Sequence, residues 1–83
     1  MTIPNSVTFI GGSSFVSCNN LTSLTIGNGV TEIYGGAFSN CRNLTSISYV
    51  GTISQWNAII KGNLWHYNVP ATVVHCTDGD TPI

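Results

Sequence analysis

Apolar residues return along the chain in sets that are spaced alike. Leu21, Leu24 and Ile26 are followed by Val30, Ile33 and Phe38, and then Leu44, Ile47 and Tyr49 take up the opening pattern again. Sliding residues 2–24 onto residues 25–47 makes thirteen of 23 positions identical, among them Ile3/Ile26, Val7/Val30, Ile10/Ile33, Phe15/Phe38 and Cys18/Cys41. A fixed period of this length marks stacked coils, and it outranks any local preference. Within each coil, Leu24 and Ile26, or Ile47 and Tyr49, alternate with Ser and Thr as in a half-buried strand. Strands repeated in this way stack as one parallel sheet, with Ser23, Thr25, Ser46 and Ser48 turned to solvent. A turn built from Pro4-Asn5-Ser6 or Gly27-Asn28-Gly29 follows each strand. Val7 and Ile10, or Val30 and Ile33, then point inward, Phe15 and Phe38 insert a ring, and the corner around Cys18-Asn19-Asn20 or Cys41-Arg42-Asn43 returns the chain.

The pattern Leu-x-x-Leu-x-Ile-x-Asn-x-Val-x-x-Ile-x-Gly-x-x-Phe-x-x-Cys from Leu21 to Cys41 resembles the BspA-type leucine-rich repeat, and the likeness covers residues 2–49. The resemblance implies a right-handed repeat solenoid, mainly β, with short parallel strands, an irregular convex side and two repeats over residues 1–49, the first truncated at its N-terminal side. After Tyr49 the rhythm changes. Trp56, Ile59 and Ile60 fall at helical spacing between Ser54 and Gly62, which predicts a helix over residues 55–61 with all three packed inward. Residues 72–76 suit one more strand, with Val74 and Cys76 inward and Val73 and His75 outward, and Asp78-Gly79-Asp80 reads as a polar exit. Residues 50–83 thus resemble the C-terminal cap of such arrays, because a solenoid ends in an atypical turn that shields its last apolar face.

Composition narrows the partners. Only Glu32, Arg42, Lys61, Asp78 and Asp80 are charged, whereas Ser, Thr and Asn supply 28 of 83 residues. A net charge of -1 leaves no footprint for nucleic acid or an anionic membrane. No run approaches the roughly 18 apolar residues of a spanning helix, so membrane insertion is not expected. The N-terminus has no basic stretch leading into an apolar core. Because Thr2-Ile3 already matches the second half of a strand, the chain reads as starting inside a repeat, with an open apolar end that invites a homo-oligomer.

Three cysteines leave two readings for Cys18 and Cys41, a disulfide or metal pair, or a stacked ladder of small buried thiols. The ladder follows from the repeat itself, and no zinc-type spacing supports a metal. His66, His75, Cys76, Asp78 and Asp80 form the one cluster that could carry chemistry. It lacks the ligand spacing of a metal site and the remaining ligands of a calcium loop. Cys76 has no placed base, and Glu32 no carboxylate partner, so no enzyme, cofactor or metal is expected. Asn20-Leu21-Thr22 and Asn43-Leu44-Thr45 fit the glycosylation acceptor pattern, but the repeat generates them. The outward residues Ser23, Thr25, Ser46, Ser48 and His75 remain as candidates for a protein-contact face. Their simpler reading is solubility. The resemblance implies a bacterial surface or secreted protein-interaction module, extracellular in its parent and engaging host or extracellular proteins; the alternative is a structural terminal spacer.

Overall fold

A computed structural model describes all 83 residues. Residues Thr2–Ile3 (β1), Ser23–Ile26 (β3) and Ser46–Tyr49 (β5) stack in parallel, with Ile3 beside Ile26 and Ile26 beside Tyr49. Val73–Cys76 (β7) joins β5 in parallel, and Gly79–Pro82 (β8) folds back antiparallel on β7 to complete a five-stranded sheet. The shorter pieces Phe9–Ile10 (β2), Glu32–Ile33 (β4) and Ile60–Lys61 (β6) form a second, three-stranded parallel sheet. The result is a β-solenoid of about three coils, here taken as residues 1–22, 23–45 and 46–72.

Alternation places the side chains as the periodicity requires. Leu24, Ile26, Ile33, Phe38, Leu44, Ile47 and Val74 are fully enclosed, each removal from water being worth about 1.5–3 kcal/mol. Phe15 stacks on Phe38 at 5.1 Å, and Phe38 meets the edge of Trp65 at 6.4 Å. The thiols form the ladder. All three cysteines are free, and the buried Cys41 Sγ donates to the Phe15 carbonyl at 3.0 Å. Desolvation raises the Cys41 pKa, which keeps this donor protonated.

The third coil departs from the first two. Leu24 to Ile47 spans 23 residues, but Ile47 to Val74 spans 27. The extra length holds a helix, Ile53–Ala58 (α1), and not the expected 55–61. Thr52, in place of Ser54, caps it. Thr52 Oγ1 accepts from the Gln55 amide at 3.2 Å, while Gln55 Oε1 accepts from the Thr52 amide at 2.9 Å, satisfying two end groups reciprocally. The helix stops before Ile60, so Ile60 enters β6 on the outward side of the pleat and is exposed, contrary to the helical spacing; Trp56 and Ile59 are buried as expected. Lys61 takes the inward position beside Ile33. Its ammonium closes the helix end, donating to the Trp56 and Ile59 carbonyls at 2.8 and 3.1 Å over the Trp56 ring. Gly62 therefore does not end the helix. It lies where a Cβ would overlap the backbone of Gly35.

Beyond the helix the coil regains its course. Ser13, Gly36 and Leu64 share a left-handed φ of 56–70°, as do Ser17, Asn40 and Asn68 at 58–62°. This register sets Trp65 opposite the small Ala37, where a large ring fills the space beneath Phe38 and against Trp56. The corner Asn residues stack too, Asn68 Nδ2 donating to Asn40 Oδ1 at 2.8 Å. β7 begins at Val73, one residue after the expected start.

Candidate interaction face

The outward side of the five-stranded sheet is built by register. Thr2, Thr25, Ser48, His75 and Asp80 lie side by side in one row across the five strands. Ser23 and Ser46 pair in the row alongside. The structure thus brings together the expected Ser23, Thr25, Ser46, Ser48 and His75; Ser23 and His75 are exposed, and the other three half-buried between neighbouring strands.

Two members of the row escaped the sequence reading. Thr2 is the repeat counterpart of Thr25 and was available from the alignment. Asp80 was not, because it reaches the row only through the hairpin. Thr77 and Asp78 turn the chain, Gly79 follows at φ +137°, and β8 returns with Asp80 opposite His75. The Asp-Gly pair between two extended runs was the available signal. Asp78 also does structural work, accepting from the Ile53 amide at 2.9 Å and so tying the hairpin to the start of α1. Asp78-Gly79-Asp80 is a turn and an edge strand, not a free exit.

Asp80 Oδ1 lies 2.7 Å from His75 Nδ1. The ionised carboxylate only accepts, so it fixes the proton on Nδ1 and leaves Nε2 free to face a ligand. Ser48 is the next residue in the row, but its hydroxyl makes no hydrogen bond to the imidazole, and the row lies on an open sheet. The hydroxyls of Thr25, Ser46 and Ser48 have no partner within the chain, which leaves them for water or a bound surface. No third His, Cys, Asp or Glu joins His75 and Asp80 as a metal ligand. Cys76, beneath the row, has its pKa raised by burial first and then by the charges of Asp78 and Asp80, the opposite of what a thiolate nucleophile needs. His66 stands apart from this group, packed edge-on against Trp65 at 4.7 Å.

A family model described as the BspA type leucine-rich repeat region (6 copies) matches residues 1–75. The chain belongs to this family. The match runs past Tyr49 to the last parallel strand, in agreement with the third coil seen in the fold. No curated protein and no solved structure matches the chain. Membership of a leucine-rich repeat family makes a repeat protein-interaction module the coarse functional class, a family type that is typically non-enzymatic. No helix is long and apolar enough to cross a membrane.

Proposed function

We propose that this BspA-type repeat chain binds an extracellular or host protein through the outward face of its five-stranded sheet, without catalysis, as part of a surface or secreted protein. The observation supporting this reading is the row Thr2, Thr25, Ser48, His75 and Asp80, whose hydroxyls are unengaged and whose imidazole is held in one orientation. Such a row offers donors and acceptors at the strand spacing of about 4.8 Å, with one aromatic, ionisable anchor. Solenoids use this kind of extended face for recognition.

Size sets the strength. Four-residue strands across five positions cover on the order of 300 Å², well short of the ~800 Å² per partner of a stable specific complex. Binding by one copy is therefore weak and transient. The chain would be tested on an array of immobilised extracellular-matrix proteins by surface plasmon resonance, with Thr25→Lys/Ser48→Lys as the face variant. Binding lost at least tenfold in that variant supports the reading. Binding unchanged in it assigns recognition to another surface, and an absence of binding at millimolar protein favours the spacer role.

A further inference from the structure

The three-stranded sheet turns a face outward as well. One outward row holds Phe9, Glu32 and Ile60, and the next sets Tyr34 between Gly11 and Gly62, since β2, β4 and β6 run in register through Ile10, Ile33 and Lys61. β4 is the middle strand, so Glu32 and Tyr34 look out with a coil packed on each side of them. Tyr34 is 42% exposed. Phe9 stacks on one face of its ring, with centroids 5.9 Å apart and planes inclined by 21°, whereas Gly62 on the opposite strand has no side chain to cover the second face. Glu32 is the one charged side chain in residues 1–41. Its carboxylate has no ionic partner in the chain: the one ion pair joins His75 to Asp80, and the ammonium of the neighbouring Lys61 is held by the Trp56 and Ile59 carbonyls.

We propose that this face docks an arginine side chain presented by a partner polypeptide. Glu32 and Tyr34 stand about 7 Å apart along the strand, a span that one guanidinium bridges. Its plane stacks on the open face of Tyr34, its N–H groups donate to the Glu32 carboxylate, and its aliphatic stem lies against Ile60. A ring face attracts a cation through its quadrupole, and a carboxylate accepts the guanidinium fork through two parallel bonds. Lysine fits less well, because an ammonium is a point charge that neither stacks nor bonds in that paired geometry. A sugar would use the aromatic face, but it would leave the negative charge unpaired. The site lies on a different sheet from the recognition face proposed above and does not depend on it.

Titration of the isotope-labelled full chain with acetyl-Gly-Arg-Gly-amide, followed through its amide resonances, tests the site. Shifts are expected at Glu32, Tyr34 and Gly62, saturating only in the millimolar range because one exposed ion pair and one exposed ring contact are each weak. The lysine peptide should bind about two- to fivefold less tightly, and the citrulline peptide, which keeps the shape without the charge, about tenfold less. Glu32→Gln and Tyr34→Leu, both checked for folding by unchanged core resonances, should each weaken arginine binding about two- to fivefold. Ser48→Ala, on the five-stranded sheet, should leave it unchanged. Equal binding of the arginine and citrulline peptides, shifts confined to other surfaces, or full binding in Glu32→Gln would each overturn the proposal. Shifts at the same amides with maltose but not with the arginine peptide would make the face a sugar platform and overturn it too. Recognition by the five-stranded sheet is measured separately on the protein array and with its own face variant.

Discussion

Coil one and coil three begin with the same kind of strand and end in different states. In coil one, Phe15 stacks on Phe38 with one face and leaves the other toward the open end, so it is only half-buried. In coil three, Trp65 contacts Phe38 on one side and Trp56 on the other and is buried. The turns differ in the same sense. Coil one has Ser6 where coil two has Gly29, and a Cβ at Gly29 would overlap the Asn5 carbonyl oxygen in the turn below. Ser6 is exposed in the first turn, whereas Gly29 rests directly on the turn of the preceding coil. A coil's sequence is thus constrained by the neighbour it rests on.

The contrast is sharpest in the rings. Trp65→Ala should lower the unfolding free energy by about 3–5 kcal/mol, against about 1–2 for Phe15→Ala, measured by urea titration of each variant. Equal losses would mean that the first coil is as tightly held as the third. Next comes the turn. Gly29→Ala should cost roughly 2–3 kcal/mol through the clash with the Asn5 backbone, while Ser6→Ala should change stability by less than about 0.5; a tolerant Gly29 would show that the coils can part without penalty.

Alkaline pH probes the buried thiols and phenol. Burial raises the pKa of Cys41 and Cys76 above their ordinary 9.0 and that of Tyr49 above 10.0. Each neutral form is favoured by the fold, so the stability is full below those ordinary values and is lost as pH rises through the folded ones. Lys61 works in the opposite sense. Burial lowers its pKa below 10.5, so its contribution is present above that value and is lost as pH falls through the folded value. With three groups against one, the urea midpoint should fall between pH 8 and pH 10.5, and Cys41→Ser should flatten the fall. A midpoint that rises would put Lys61 in command.

The smallest effect lies at Leu64. It adopts φ 58° where coil two has Gly36, a conformation costing an L-residue about 1–2 kcal/mol. Leu64→Gly should therefore raise stability by roughly 0.5 kcal/mol after the glycine's own entropy cost, read as a small rise in thermal midpoint. Ser13→Gly, at the matching site of coil one, should do no more than that.

Much of this architecture was legible. A 23-residue period with period-two alternation leaves one way to bury Leu24, Ile26, Ile47 and Tyr49, and it sets Ser23, Thr25, Ser46 and Ser48 outward at the same time. Where the period was interrupted, legibility ended. Trp56, Ile59 and Ile60 match a helical stripe, but Thr52 and Gln55 close a capping box that starts the helix early, and Ile60 is drawn into a ladder with Glu32. Trp65 could not be recognised as a coil residue because it stands opposite Ala37, and it packs there against Trp56 of the inserted helix.

The sequence by itself determined the repeat and the inward and outward faces, since both follow from spacing that recurs from one coil to the next, whereas the structure decided that Cys18 and Cys41 are free thiols. Tertiary structure decided where the helix stops, that Lys61 occupies an apolar position to close it, and that Asp80 turns back to hold His75. These outcomes rest on contacts between residues distant along the chain, in a segment that has no second copy to reveal its register. The same holds for the ends. The repeat marks Phe15 and Phe38 alike as core, and only the packing of coils on both sides encloses Phe38 while Phe15 keeps part of its ring in water.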